Sequence, residues 1–256
     1  MILGCVNLVN MESFTNYPFS SSVSKTTAPL ELIFSDIWGP SPIASTNGHK
    51  YYIVFVDSYT RFSWMFPLTL KSKALSTFIS FQKQVELQFN TRIKTFQSDM
   101  GKEYQVFGSF LKSLGIVHRF SCPYTHQQNG VAERKHRHIV ETGLTLLAHA
   151  SLPLKFWCEA FLAITLLINN LPTPVLHGKS PFECIYHKPP NYSYLKVFGC
   201  ACFPYLRPYS KTKFGYHTSK CIFIGYIPQY KGYKCLSSSG WIYISRNVLF
   251  HEFDFS

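Results

Sequence analysis

The chain has 256 residues, of which 46% are hydrophobic and 17% aromatic, values typical of a globular protein with a sizeable core. Its 25 Lys and Arg against 13 Asp and Glu give a net charge of +12. This excess of positive charge favours a polyanionic partner or an anionic membrane surface, and of the two we expect nucleic acid. The longest apolar run, residues 160–168, is far shorter than the roughly 20 residues of a membrane-spanning helix. We interpret it as a buried helix and expect no membrane partner.

Residues 1–28 are rich in Ser, Thr and Asn and lack a basic leader, so we predict a loosely structured lead-in without a signal peptide. The eight cysteines show neither a Cys-x-x-Cys pair nor the spacing of a disulfide framework, which favours a reducing compartment. Cys200 and Cys202 would share one face of a strand with no second pair nearby. We therefore expect no structural zinc.

Residues 29–192 are predicted to form one α/β domain. Aromatic and β-branched runs at 30–38, 49–59 and 61–68 predict three consecutive strands separated by turns. The remaining predicted elements are a helix at 72–90, a strand at 93–99, a short helix at 104–114, a strand at 116–122, and helices at 129–150 and 153–170. This serial order is typical of a ribonuclease-H-like layer with a mixed five-stranded sheet.

Residues 193–256 are predicted to form a small separate β-barrel. A Pro-punctuated link at 180–192 precedes short β-like runs separated by Gly, Pro and Ser. From residue 196 onward, eight Lys or Arg against two acids give +6, half of the excess charge of the chain. This part either contacts a nucleic-acid backbone or carries a solvated basic surface that keeps the barrel soluble.

Three of the few acidic residues stand at informative places. Asp36 ends the first predicted strand, Asp99 ends the fourth, and Glu133 lies in the first turn of the following helix. Strands one and four are adjacent in such a sheet, so the three carboxylates are expected to converge. Hard oxygen ligands suit two Mg²⁺ or Mn²⁺ ions, and paired ions suit phosphodiester chemistry.

Polar and basic residues around Glu133 are predicted to hold DNA, with Asn129 as a possible helix cap. They are Gln127, Gln128, Asn129, Arg134, Lys135, Arg137 and His138. Alternatively, Asp36 and Asp99 are surface acids and Glu133 pairs with Arg137 four residues on. Glu103 is a rival third metal ligand or a support for one.

The residues that carry these features also resemble a known family. Stretches such as "LELIFSDIWGPSP", "QSDMGKEY" and "CPYTHQQNGVAERKHRH" are similar to the integrase region of copia-type retrotransposon polyproteins. The resemblance implies a ribonuclease-H-like integrase core, a following Src-homology-3-like barrel, and a catalytic triad of Asp36, Asp99 and Glu133 that binds magnesium or manganese. It also implies end processing and strand transfer on element-end and target DNA, a homo-oligomer, and a nuclear location.

The chain also departs from the family pattern. Met100, Gly101 and Lys102 stand where Asn-Gly-Gly or Trp-Gly-Gly is frequent, and His126 replaces a frequent proline. The His-His-Cys-Cys zinc module that normally precedes the core is missing, so we expect a piece of a polyprotein. Three functions follow: a metal-dependent polynucleotidyl transferase, a catalytically silent DNA-binding remnant of a decayed element, or an unrelated metal nuclease.

Overall fold

The first sheet has five strands in the order β3-β2-β1-β4-β5. The computed structural model describes residues 26–121, 129–209, 216–227 and 232–255. β1 runs antiparallel to β2 and parallel to β4, β2 runs antiparallel to β3, and β4 runs parallel to β5. The strands are β1 (Leu32–Trp38), β2 (Tyr51–Asp57), β3 (Ser63–Leu68), β4 (Thr95–Ser98) and β5 (Val117–Phe120). This mixed sheet confirms the predicted α/β layer.

Helices cover both faces of this sheet, and its interior strand β2 is accordingly buried on both sides. Six of the seven residues of β2 are buried. On one face α1 supplies Phe78 and Phe81, and Phe81 stacks on Phe55 with ring centroids 4.3 Å apart. On the other face α4 and α5 pack against β1, β2 and β3. The helices are α1 (Ala74–Phe89), α2 (Lys102–Gln105), α3 (Phe107–Ser113), α4 (Gly130–His149), α5 (Trp157–Asn170) and α6 (Pro181–Tyr186).

The sequence analysis missed α6, which lies inside the segment interpreted as a Pro-punctuated link. Ser180 caps this helix by accepting a hydrogen bond from the Glu183 N–H at 3.0 Å, and Pro181 occupies its first turn. Ser, then Pro, then Glu three residues after the Ser is a helix start signal that the sequence carries. The short helix predicted at 104–114 is instead two consecutive helices, α2 and α3.

The second sheet is antiparallel throughout, in the order β10-β6-β7-β8-β9. Its strands are β6 (Cys200–Pro204), β7 (Cys221–Ile227), β8 (Gly232–Ser237), β9 (Ile242–Ser245) and β10 (Val248–Phe255). Arg246 and Asn247 form a bend that separates β9 from β10. The sheet confirms the predicted all-β character of the C-terminal part.

Four cysteines from three strands meet in the core of the second sheet. Cys200, Cys202, Cys221 and Cys235 are buried free thiols packed around Phe223. The expectation that no second cysteine pair lies near Cys200 and Cys202 was therefore wrong, because β7 and β8 bring one there. Burial raises the pKa of Cys200 to about 11, so its thiol stays protonated near neutral pH. In this setting each cysteine acts as a small hydrophobic side chain of the core.

The second sheet shares its core with the first domain. Ile224 and Leu236 belong to the same buried cluster as α5. Gly199 lies against Ala150 so closely that a Cβ at Gly199 would stand 2.2 Å from the Ala150 Cβ. On the same side, Lys234 Nζ lies 3.7 Å from Oε1 of the buried Glu159. The predicted domain boundaries, 29–192 and 193–256, stay a prediction. The contacts described above join the two predicted domains.

One apolar segment meets the length and composition of a membrane span. Residues Leu154–Leu176 have a mean hydropathy of 1.3 over the most apolar window, and 61% of that window is buried inside the protein. The segment contains α5, which packs on α4, β3 and β7. Its burial explains the apolar sequence as that of a core helix.

Candidate active site

Parallel pairing of β1 and β4 sets Asp36 beside Asp99. Phe34 is the register partner of Gln97, so two residues further on Asp36 aligns with Asp99, which directly follows β4. Both residues therefore lie at the same edge of the sheet. This juxtaposition agrees with the prediction that the first and fourth strands bring two carboxylates together.

The third acid comes from α4, whose start is docked on β1. Asn129 precedes α4 and is 3% exposed, and its Nδ2 donates a long hydrogen bond of 3.5 Å to the Ser35 carbonyl. Asn129 makes no side-chain capping bond to α4, so the possible cap is not used. Its contact with Ser35 places the first turn of the helix, which contains Glu133, over the strand that carries Asp36.

The electrostatics of Asp36 record the proximity of the other two acids. Burial, together with the negative charges of Asp99 and Glu133, raises the pKa of Asp36 to about 7, while Lys71 opposes this rise. The Ile37 N–H, which donates to Asp36 Oδ1 at 2.8 Å, also lowers this pKa. The charges of Asp99 and Glu133, which come from two other elements, thus both act on Asp36.

An open cleft of about 470 Å³ lies in front of Asp36 and Glu133. Its other lining residues are Ile37, Trp38, Gly39, Pro40 and His136. Gly39 has φ +122°, and a Cβ there would stand 2.7 Å from the Lys50 carbonyl oxygen and from the Tyr51 ring. Only glycine fits this wall of the cleft without strain.

His136 belongs to the site although the sequence analysis left it out. Its Nε2 lies 3.4 Å from Asp36 Oδ2, and its Nδ1 lies 2.9 Å from the Tyr52 hydroxyl. The Nε2 contact is close but is not aligned as a hydrogen bond, and Nε2 is buried. Burial lowers the pKa of His136 to about 4, so the ring is neutral at pH 7. The available signal was its spacing, because His136 follows Glu133 by three residues and so lies on a neighbouring part of the helix surface.

Glu103, the rival ligand, is held by a lysine that the sequence analysis also missed. Lys71 Nζ lies 2.8 Å from Glu103 Oε1, and this ion pair raises the pKa of Lys71. Between Glu103 and Asp99 lies Gly101, where a Cβ would stand 3.0 Å from the Glu103 carboxyl carbon and 3.1 Å from Asp99 Oδ1. Glu103 therefore borders the site with its charge already paired.

The donor set fits a hard divalent cation. The oxygens of Asp36, Asp99 and Glu133 are of the kind that Mg²⁺ and Mn²⁺ prefer. Burial and then the charges of Asp99 and Glu133 raise the pKa of Asp36, and a cation would oppose both effects. Within the described ranges, no three His, Cys, Asp or Glu side chains already lie close enough to hold a metal ion. Binding would thus require the carboxylates to move closer together.

The residues predicted to bind DNA lie in different surroundings. Arg134, Arg137 and His138 are exposed on α4, Lys135 is half-buried, and Asn129 is buried against β1. Gln127 and Gln128, like His126 and residues 1–25, lie outside the described residues. The basic part of the predicted DNA-binding surface is therefore a single stretch of one helix.

Comparison with known proteins agrees with this architecture. Residues 26–126 match the family described as Integrase core domain, and residues 200–256 match the Retroviral polymerase SH3-like domain. The chain is 48% identical over 236 residues to the Retrovirus-related Pol polyprotein from transposon RE1 of Arabidopsis thaliana, and 49% identical over 236 residues to that from transposon RE2. Each alignment covers 92% of this chain and 16% of the polyprotein, so the chain spans about a sixth of the length of these relatives.

Among solved structures, a chain of the simian T-cell lymphotropic virus intasome, determined in complex with PP2A regulatory subunit B56 gamma, superposes with a TM-score of 0.51. The identity is 17%, and the superposition covers 90% of this chain and 80% of that chain. At this identity the likeness shows a common fold. The two family matches and the two plant relatives confirm the resemblance on which the sequence analysis relied: the chain belongs with the integrase regions of retrovirus-related Pol polyproteins from transposons, an integrase core domain followed by a retroviral polymerase SH3-like domain.

Proposed function

We propose that this chain is a divalent-metal-dependent polynucleotidyl transferase that trims the ends of element DNA and joins the freed 3′-hydroxyls to target DNA. The observation that carries the proposal is the parallel register of β1 and β4, which sets Asp36 beside Asp99, together with the open cleft that Asp36 and Glu133 both line. Membership of the integrase core family supports the transferase class. Element-end and target DNA as partners, a homo-oligomer and a nuclear location belong to the same proposal.

Asp36, Asp99 and Glu133 would hold two magnesium or manganese ions. When bound, such ions activate the attacking oxygen and stabilise the leaving oxygen of a phosphodiester. The protein's own task is to orient these carboxylates at one edge of the sheet. Neutral His136 contributes by filling the space between Asp36 and Tyr52 without adding a charge that would compete with the cation.

A joining assay tests the proposal. The chain is incubated with a labelled duplex that carries the terminal sequence of the element, a target duplex and Mn²⁺. We expect joined product from the parent protein and none from Asp99→Asn. Lys83→Gln is the control, because Lys83 is exposed on α1, which packs on the other face of the sheet from α4. Joining by Asp99→Asn at the parental rate would overturn the proposal.

The same assay separates the transferase from a DNA-binding remnant. The remnant is favoured by the absence, within the described ranges, of three acidic side chains already gathered for a metal. It predicts salt-sensitive DNA binding without joined product in both parent and variant. A thermal unfolding experiment with Mn²⁺ distinguishes the transferase from the remnant by metal binding, because a ligand that binds the folded state raises the midpoint of unfolding. Mn²⁺ should raise it in the parent and not in Asp99→Asn if the site is competent.

A further inference from the structure

Trp38 lines the cleft beside Asp36, two residues further along β1. Side chains alternate between the two faces of a strand, so Phe34, Asp36 and Trp38 lie on the same face of the sheet. Phe34 belongs to the buried cluster that contains α5, and Trp38 packs against that cluster. Two residues of a strand span about 6.6 Å, so the indole lies a short distance from the Asp36 carboxylate.

Neighbouring aromatic rings hold the Trp38 indole in place. Tyr52, its register partner in β2, stacks on it with ring centroids 5.3 Å apart and an angle of 27° between the rings. Trp157 and Phe161 of α5 also lie against it, with centroid distances of 5.7 Å and 5.8 Å. Trp157 is fixed in turn, because its Nε1 donates to the Ile43 carbonyl at 3.0 Å. The position of the indole is therefore set before any ligand binds.

A role in the core alone does not account for the exposure of Trp38. In the same group of rings, Trp157 is 3% exposed, Phe161 is 1% exposed and Tyr52 is fully buried. Trp38 is half-buried and lines the cleft. Aromatic surface left in contact with water is available for burial by a bound partner, and that burial is favourable. The exposed part of the indole therefore borders the space in which the substrate of the proposed reaction binds.

The spacing of carboxylate and indole matches the build of a nucleotide. Asp36 and Glu133 line the cleft and supply the oxygens for a cation that binds phosphate. In a nucleotide one sugar separates the phosphate from the base, a distance similar to the step from Asp36 to Trp38. A cleft of about 470 Å³ lies within the roughly 300–1,000 Å³ of small-molecule sites, which leaves room for one nucleotide.

The chemistry of the cleft favours a nucleobase over an apolar side chain of a protein partner. Aromatic rings stack on bases of any sequence, because every base has a π-face. A nucleotide also places its charged group at the carboxylate end of the cleft, where a cation would bind, and its flat ring at the indole. The net charge of +12 further favours a polyanion as the partner of this chain.

We propose that Trp38 stacks on the nucleobase next to the reacting phosphate and thereby positions the DNA strand in the cleft. The inference rests on the proposed function, since it takes that phosphate to be the one bound at Asp36, Asp99 and Glu133. Stacking of this kind favours the presence of a base over its absence and discriminates little between the four bases. Trp38 is thus a substrate-binding residue that takes no part in bond making.

Fluorescence anisotropy with abasic DNA tests the stacking in the presence of Mn²⁺. The labelled element-end duplex is compared with three versions, each of which lacks one base among the last three nucleotides of the reactive strand. A 3′-dideoxy end and the omission of target duplex prevent joining. In the parent protein we expect removal of one of these bases to weaken binding roughly tenfold, as the loss of one base stack does.

The ratio of the two affinities, intact against abasic, is the readout for each variant. In Trp38→Leu the ratio should fall to about 1, whereas Trp38→Phe should keep most of it, because Phe retains an aromatic face. Trp241→Leu is the control, because Trp241 is 71% exposed beside β9 and does not line the cleft. Its replacement should leave the ratio unchanged. Circular dichroism verifies that the Trp38 variants are folded.

A photocrosslink locates the contact in the parent protein, where no substitution disturbs the packing of Trp38. 5-Iodouracil replaces each of the three terminal bases in turn, and irradiation joins it to an aromatic side chain in contact with it. Mass spectrometry of the crosslinked peptides should identify Trp38 at the position that the abasic series singles out. This readout decides the question if Trp38→Leu does not fold.

Equal ratios in the parent and in folded Trp38→Leu, or crosslinks at all three positions that avoid Trp38, would overturn the inference. The exposed ring would then be left for an apolar side chain of a protein partner. Both measurements are made without joining. Joined product without a base preference would refute the stacking alone, whereas a Trp38 crosslink in a chain that joins no DNA would refute the transferase and leave the base site standing.

Discussion

His136 presents Nε2 to Asp36 Oδ2 at 3.4 Å inside the cleft that both residues line. The other ring nitrogen, Nδ1, lies 2.9 Å from the hydroxyl of Tyr52, which is fully buried. If the Tyr52 hydroxyl donates to Nδ1, the neutral ring carries its proton on Nε2, on the side of the carboxylate, and this is the tautomer that we expect. Contacts thus run from Tyr52 in β2 through His136 in α4 to Asp36 in β1.

Replacing Tyr52 by Phe tests this link. The change leaves the buried Nδ1 of His136 without a partner, which should cost about 1 to 3 kcal/mol of unfolding free energy. It should also release the fixed tautomer, which nitrogen chemical shifts of the imidazole report. Tyr104→Phe is the control, because it removes the buried contact of its hydroxyl with Ser35 at 2.9 Å and does not touch His136. An Nδ1–H tautomer in the parent would contradict the assignment.

The pH dependence of stability should show the raised pKa of Asp36. Its folded value is about 7, and its unfolded value is near 3.9, so in this interval the folded protein binds more protons. The contribution of Asp36 to stability therefore declines as the pH rises from about 4 to about 7. In EDTA at pH 8, Asp36→Asn should be more stable than the parent by about 2 to 4 kcal/mol, and the difference should vanish towards pH 4.

Urea unfolding at several pH values measures this difference. Glu141→Gln provides the comparison, because Glu141 is an exposed carboxylate on the same helix. Its replacement should leave the pH profile close to that of the parent. A constant offset between Asp36→Asn and the parent at all pH values would show that the raised pKa is not the cause.

Lys71 should weaken metal binding because its charge lies near the carboxylates. It lowers the pKa of Asp36 and interacts with Asp99 while it pairs with Glu103. Removing this cation in Lys71→Gln should therefore tighten Mn²⁺ binding several-fold in isothermal titration calorimetry. Lys73→Gln, an exposed neighbour two residues on, should bind as the parent does. Weaker binding by Lys71→Gln would mean that Lys71 instead holds Glu103 and the site in their binding arrangement.

The sequence was sufficient to predict the features with strong local signals. The three consecutive strands, the amphipathic helix α1, and the neighbouring positions of Asp36 and Asp99 follow from periodicity and from the parallel order of β1 and β4. The three-residue spacing that places His136 near Glu133 was visible, but its contact with Tyr52 depends on tertiary packing. No local pattern connects Lys71 with Glu103, because 32 residues separate them and their ion pair forms only in the folded chain.

The junction between the two sheets makes a prediction about Gly199. This residue has φ +86°, and an added Cβ would stand 2.2 Å from the Ala150 Cβ. Gly240 has the same φ of +86° with nothing within 4 Å of its added Cβ. Alanine at either position should cost about 1 to 2 kcal/mol through backbone strain, and at Gly199 a further 1 to 3 kcal/mol, approximately, through overpacking.

Chemical denaturation of Gly199→Ala and Gly240→Ala measures the two costs, and their difference isolates the contact with Ala150. Equal destabilisation would show that the sheets can separate at this point without loss of stability. A larger loss in Gly199→Ala would show that the close packing of Gly199 on Ala150 stabilises the folded chain.

The burial of Ile224 and Leu236 beside α5 has a practical consequence for truncated proteins. A fragment that stops at residue 192 would present the apolar flank of α5 to water and would be prone to self-association. Poor solubility of such a fragment would then reflect the exposed apolar face of α5 rather than low stability of the first domain. Biochemical experiments on this region should keep both sheets in one chain and should test the role of each by point substitution.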